Sequence, residues 1–133
     1  MDRDAILFAN EAFYRAFADR DYAAMDGLWA RSLPVVCVHP GSAPLAGRDD
    51  VMASWRAILG SDMSPAITCH EPAVYQYGDA AAVVCFEGIA ENYLVATNLF
   101  VRQNGRWWMV HHQAGPTNDA PQPEAEPETP RPN

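Results

Sequence analysis

The hydrophobic period changes once along this chain, near its midpoint, and that change limits the folds open to it. Up to Leu59 the apolar residues recur at spacings of three and four; beyond it they alternate or run in short β-branched blocks. In the first stretch Ile6, Ala9, Phe13, Ala16 and Phe17 predict a helix over 5–18. Asp21 is placed to cap a second helix carrying Tyr22, Met25, Leu28 and Trp29. Pro34 breaks that pattern, and the run from Val35 to His39 predicts a short strand that stops at Pro40-Gly41. After a loop over 41–47, Val51, Trp55, Ile58 and Leu59 predict a third helix over 48–59. In the second half, 67–71 and 73–77 are strand candidates, and 80–90 would pair back across Gly78-Asp79. Two further strands, 93–102 and 107–113, flank Asn104-Gly105, the strongest short hairpin signal a sequence offers. Helices first and antiparallel strands later predict an α+β fold, with the helices covering one face of a bent sheet.

At 133 residues and 49% apolar composition the chain suits one domain with a self-sufficient core. Its net charge is −8, and all nine basic residues are arginine. Without lysine there is no Schiff-base chemistry and no P-loop lysine. An acidic chain with scattered arginines is a poor ligand for phosphate backbones or anionic membranes, so neither nucleic acid nor membrane is an expected partner. No apolar run approaches the ~20 residues that span a bilayer, and the start Met1-Asp2-Arg3-Asp4 lacks a signal-peptide pattern, which makes the cytoplasm the expected compartment. Cys37, Cys69 and Cys85 form no CxxC pair and are read as small hydrophobes. From Asp119 onward the sequence holds five prolines and four acids but no aromatic residue. Such a segment cannot offset its ordering entropy by burial. The expected division is a folded domain over 1–116 and a Pro/Glu-rich tail over 117–133.

Several short motifs, in order, carry a resemblance. They are Ala16-Phe17-Ala18-Asp19-Arg20-Asp21 closing the first helix, Leu28-Trp29, Val38-His39-Pro40-Gly41, and Gly47-Arg48-Asp49 with Trp55. The series ends with Thr97 to Arg102, Asn104-Gly105-Arg106-Trp107 and Val110-His111-His112. Over residues 5–116 the chain resembles the nuclear transport factor 2-like superfamily in its SnoaL-like branch, whose cystatin-like fold is shared with ketosteroid isomerase. The resemblance implies a cone: a curved antiparallel sheet wrapped around three helices, with an apolar pocket at one end. It does not select a function, since this fold serves isomerases, dehydratases, cyclases, epoxide hydrolases and non-catalytic hubs.

His39 is the candidate catalytic residue. It ends a strand just before Pro40, where the isomerases that this chain resembles carry their aspartate base, and a histidine titrating near neutrality can accept a proton there. The competing reading is a histidine packed at a pocket rim. The rest of that isomerase machinery does not carry over: Phe13 stands where the resemblance expects an oxyanion-binding tyrosine, with Tyr14 beside it, and Thr97 where it expects a protonated acid. Trp29 and Trp55 fall where it places pocket tyrosines, and they are equally readable as core.

A two-residue turn at Asn104-Gly105 pairs Val101 with Trp108, Leu99 with Val110, and Thr97 with His112. The opposite face holds Phe100, Met109, Asn98, His111 and Trp107. Both faces are apolar, and a sheet apolar on both sides expects a second layer, most simply another copy of the chain. By resemblance the first set lines the pocket while Phe100, Trp107, Met109 and His111 make a homodimer. A bulge near the strand ends would swap Asn98 or His111 inward. The expected pocket therefore comprises Tyr14, Phe17, Trp29, His39, Trp55, Thr97, Asn98, Leu99, Val110 and His112. His39, His70, His111 and His112 lack metal-ligand spacing, so no metal is expected, and no motif implies a cofactor. Glu71, Glu87 and Glu91 are read as solvated, with a buried acid as the minority alternative.

Three functions fit these features. One is an enzyme doing acid–base work of isomerase, cyclase or dehydratase type on a small apolar carbonyl compound, with His39 as proton acceptor. The second is a non-catalytic protein that binds a small apolar or carboxylate ligand. The third is an oligomerisation module.

Overall fold

The computed structural model of the chain describes residues 2–122. Three helices precede most of a six-stranded sheet. Helix α1 (Asp2–Ala18) begins with Asp2 and Asp4, whose charges suit the N-terminal dipole, and turns Ile6, Asn10, Phe13, Tyr14 and Phe17 inward. The chain reverses at Arg20, which sits at φ 53°, and Asp21 caps α2 (Tyr22–Leu28) by accepting from the Ala24 amide at 3.0 Å. Helix α3 (Arg48–Leu59) follows Gly47 (φ 94°) and buries Val51, Met52, Trp55 and Leu59. Arg48 fixes the α2–α3 junction: its guanidinium reaches the Asp26 carboxylate at 2.6 Å and the Trp29 carbonyl at 2.8 Å.

The strands are β1 (Val36–Val38), β2 (Leu45–Ala46), β3 (Thr68–Tyr77), β4 (Ala80–Ile89), β5 (Asn92–Gln103) and β6 (Arg106–Thr117), in the spatial order β2-β1-β6-β5-β4-β3. The sheet is curved and unclosed, the α+β cone that the resemblance implied. It is antiparallel except at one seam, where β1 runs parallel to β6. That seam pairs Cys37 with His112 and so delivers His39, the next residue after β1, to the end of the cone where His112 lies.

Two details differ from the sequence expectations. The candidates 67–71 and 73–77 are one ten-residue strand, β3, broken by a bulge at Glu71-Pro72 where Glu71 takes φ 52°. The loop expected over 41–47 contains the short strand β2, which pairs with β1. The hairpin turn is as expected, with Asn104 at φ 55° and Gly105 at φ 76°, both left-handed as a type I′ turn requires. Of the expected tail, Thr117 belongs to β6, and 123–133 lie outside the described residues.

The β5–β6 hairpin corrects the face assignment. Val101 pairs with Trp108 as expected, but a bulge opposite the Leu99–Phe100 step then shifts the register. Leu99 pairs with His111, Asn98 with His112 and Thr97 with Gln113, leaving Val110 as the extra residue. An extra residue reverses side-chain parity beyond it. Trp107 and Met109 therefore point inward before the bulge, and His112 and Ala114 after it. Phe100, Met109 and Trp107, expected at a dimer contact, are core residues. Met109 is pinned there by a bridge to Trp29 and by its carbonyl accepting from the Ala30 amide at 2.9 Å. Thr97, Leu99 and Val110, expected to line the pocket, are half-buried on the outer face. His111 lies on the outer face, and Asn98 and His112 on the inner one.

Candidate functional site

One end of the cone gathers residues from four elements. From α3 comes Trp55, from α1 Phe13, Tyr14 and Phe17, from β6 His112, and from the end of β1 His39. Trp55 is the hub: its ring lies 5.0 Å from His39, 5.2 Å from Phe17, 5.4 Å from Phe13 and 5.8 Å from His112, centroid to centroid. The two histidine rings are 6.5 Å apart. Trp55 and Phe13 are fully buried and His112 is 2% exposed, whereas His39 is half-buried. The rings lie within packing distance of one another, and His39 is the most exposed of them. Surface grooves lie elsewhere, among them one of about 340 Å³ beside Arg48 and Met52, one of about 290 Å³ between Phe8 and Trp107 and one of about 410 Å³ along 46–50.

The proton positions follow from partner counting. Ser54 has one hydroxyl proton, and the Val51 carbonyl, 2.6 Å away and one helical turn back, takes it. Ser54 Oγ must then accept from His39 Nε2, 2.9 Å distant. That makes His39 the Nε2–H tautomer and leaves the Nδ1 lone pair with only a long contact to the Cys37 thiol, 4.0 Å away. Burial lowers the His39 pKa below its ordinary value, keeping the ring neutral at pH 7.

Behind these rings runs a buried polar chain that the sequence patterning underrated. Glu87, read as solvated, is 1% exposed on the inner face of β4. Tyr14 Oη donates to Glu87 Oε2 at 2.6 Å, a length typical of a charge-assisted bond. Asn98 Nδ2 lies 3.1 Å from Tyr14 Oη and 2.9 Å from Asn10 Oδ1, and Asn98 Oδ1 lies 2.6 Å from His112 Nδ1. Cys85 Sγ completes the shell of Tyr14 at 3.2 Å. Burial raises the pKa of Glu87 and lowers that of His112, the latter to about 3. Burial also pushes the Cys37 thiol up to about 12, which leaves it a poor nucleophile.

Of the expected pocket residues, the structure thus brings together Tyr14, Phe17, His39, Trp55, Asn98 and His112. Trp29 is fully buried deeper in the core against Met109. The indole N–H groups of Trp29 and Trp55 have no acceptor among the described residues. The signal for Glu87 was present in the alternation Ala81, Val83, Cys85, Glu87, which puts the acid on the same face as three buried small residues. Asn10 carries a similar signal, one turn from Ile6 and Phe13 on the inner face of α1.

A family model described as SnoaL-like domain matches residues 6–118. The F-box protein SKIP8 of Arabidopsis thaliana is 30% identical over 112 residues, covering 83% of this chain and 48% of that protein. The chain therefore spans about half the length of this curated relative. A solved structure of a candidate dehydratase of the NTF2-like family from Streptomyces avermitilis superposes with a TM-score of 0.80 at 30% identity, covering 89% of this chain and 97% of that one. A candidate calcium/calmodulin-dependent protein kinase type II association domain from Thiobacillus denitrificans gives 0.73 at 31% identity, with 83% and 93% covered. A cystatin-like protein from Nostoc punctiforme shares the fold at 12% identity, with a TM-score of 0.72 over 90% and 94% of the two chains.

Proposed function

The chain belongs to the SnoaL-like domain family of the NTF2-like superfamily, and on that premise we propose that it is a small-molecule enzyme in which His39 accepts a proton from a small apolar carbonyl ligand. One observation carries this reading: the Ser54–Val51 hydrogen bond commits His39 Nε2 as a donor and leaves Nδ1 as the basic atom. A neutral, half-buried imidazole whose lone pair meets only a distant thiol, on the most exposed ring of an aromatic cluster, is equipped for general-base work. The proton would leave the carbon beside the ligand carbonyl, and its electron pair would move toward the carbonyl oxygen as an enolate. His39 would hold that proton at Nδ1 as an imidazolium, with Nε2–H still bonded to Ser54, and return it to the new position. Likeness to a candidate dehydratase at 30% identity supports an enzyme over a purely structural domain.

The test uses α-proton exchange of small aryl ketones such as acetophenone in deuterated water, followed by NMR. The wild type should catalyse exchange, and His39→Ala should lower the rate by about 10²–10⁴-fold with the fold intact. Exchange that is equal in the two proteins would remove His39 from the mechanism. Ketone binding without exchange in either would favour a binding protein over an enzyme.

A second reading, assembly into a homodimer, is favoured by the outer sheet face. Leu99, Val101, Trp108 and Val110 form a partly exposed apolar strip there, over which no helix of the described residues packs. Likeness at 31% identity to a kinase association domain supports it.

A further inference from the structure

We infer that Glu87, acting through Tyr14 and Asn98, holds His112 as a fixed hydrogen-bond acceptor, so that the site favours the enol form of its carbonyl ligand, and hydroxyl compounds that resemble it, over a carboxylate. This inference rests on the proposed ligand site beside His39 and Trp55, and names the chemistry that site selects.

The direction of the buried chain follows from donors and acceptors. Tyr14 has one proton, and at 2.6 Å it is given to Glu87 Oε2. Tyr14 Oη can then only accept from its remaining neighbours, the Asn98 amide and the Cys85 thiol. Asn98 must therefore turn its NH₂ toward α1, where a second acceptor, Asn10 Oδ1, takes the other proton. Its carbonyl oxygen is left facing β6, and His112 Nδ1 must donate to it. A neutral imidazole has one N–H, so Nε2 of His112 carries a lone pair. Burial among aromatic rings keeps that ring neutral, and His39 and His111 nearby further disfavour a charge on it.

Reversing this chain requires a proton on Glu87, which would then donate to Tyr14 and let every later bond flip. The carboxylate charge thus sets the polarity of a ring three hydrogen bonds away. The titratable groups around the chain are Tyr14 on α1, Cys37 and His39 beside β1, Cys69 on β3, Cys85 on β4, and His111 on β6. Among the described residues no arginine is hydrogen-bonded or ion-paired to any member of it.

The two histidines now present two lone pairs, His39 Nδ1, with only the Cys37 thiol at 4.0 Å in reach, and His112 Nε2, with no hydrogen-bond partner among the described residues. Between them Trp55, in contact with both rings, carries an indole N–H without an acceptor. A hydroxyl gives its one proton to one of these lone pairs and accepts from the indole N–H. A carboxylate offers only acceptors and would face two lone pairs with one N–H in compensation, an unpaired polar arrangement that costs affinity.

Ring-¹⁵N NMR of the full chain at pH 7 reads the tautomer directly. The wild type should show His112 protonated at Nδ1 and bare at Nε2. Glu87→Gln, which can both donate to and accept from Tyr14, should give mixed tautomers, and Tyr14→Phe should do the same by cutting the chain. Phenol should bind the wild type about tenfold more tightly than benzoate, roughly the 1.4 kcal/mol of one unpaired polar contact. That preference should shrink in Glu87→Gln. An Nε2–H tautomer in the wild type overturns the inference, as does benzoate binding as tightly as phenol. A tautomer unchanged in both variants overturns it too. His39→Ala should leave the His112 tautomer as it is, so a failed proton-acceptor test does not alter this outcome.

Discussion

Glu87 is the least expected side chain of the interior, and its cost is testable through pH. Its folded pKa is raised because burial disfavours the anion more than the Tyr14 hydrogen bond favours it. The unfolded chain therefore ionises first as pH rises, and stability falls from the ordinary carboxylate pKa up to the raised folded value. Glutamine mimics the protonated acid, so Glu87→Gln should match the wild type in thermal melting at pH 4 and exceed it at pH 7. His39 and His112 act in the opposite sense. Their folded pKa values lie below 6.5, so their contribution is complete above that pH and is lost as pH falls, for His112 down to about 3. In the wild type the histidines and the carboxylate oppose each other from pH 4.5 up to the raised carboxylate pKa. Removing the carboxylate should leave the histidines alone, and Glu87→Gln should lose melting temperature more steeply on acidification than the wild type. Parallel melting curves across that window would show that Glu87 is not the buried anion described here.

At the scale of elements, the bulge at Val110 decides which side chains face the core. Deleting Val110 restores unbroken alternation along β6, so either Trp107 and Met109 or His112 and Ala114 must turn outward. The deletion variant should fail to melt cooperatively, whereas Val110→Ala, which keeps the extra residue, should remain folded; circular dichroism separates the two. The same bulge explains what could not be read from the sequence. Helix 48–59 and the Asn104-Gly105 turn were legible because each rests on local chemistry, a 3.6-residue stripe behind Gly47 and a residue pair that tolerates positive φ. The bulge has no such mark. Trp108 and Val110 are as apolar as Trp107 and Met109, so parity along 106–113 does not identify an inner face. What selects it is distant in sequence: the Trp29 bridge to Met109 and the parallel pairing of β1 with β6. The candidate site could be approached through residue types, His39, Trp55 and His112, but the hydrogen-bonded chain that ends on His112 joins α1, β4, β5 and β6, and no spacing along one segment encodes it.

For the whole molecule, the corrected register moves the expected dimer contact while keeping its physical basis. Inward placement of Phe100, Met109 and Trp107 leaves Leu99, Val101, Trp108 and Val110 on the outer face, with Val95 37% exposed beside them. A stable homodimer on such a face commonly buries more than about 2,000 Å² in total and is held by apolar contact. Charge works against association, since each chain carries −8, and this repulsion weakens as salt shortens the Debye length from about 10 Å at 0.1 M to about 3 Å at 1 M. Dimer affinity should therefore rise with salt, the reverse of an interface held by ion pairs. Light scattering at micromolar concentration should report a dimer for the wild type and a folded monomer for the double variant Leu99→Asp, Val110→Asp. Phe100→Ala probes the other face: it should cost about 3–5 kcal/mol of folding stability as a core truncation, with the oligomeric state unchanged below its melting point. A monomeric wild type, or a dimer that dissociates as salt is added, would end the case for this face as the interface.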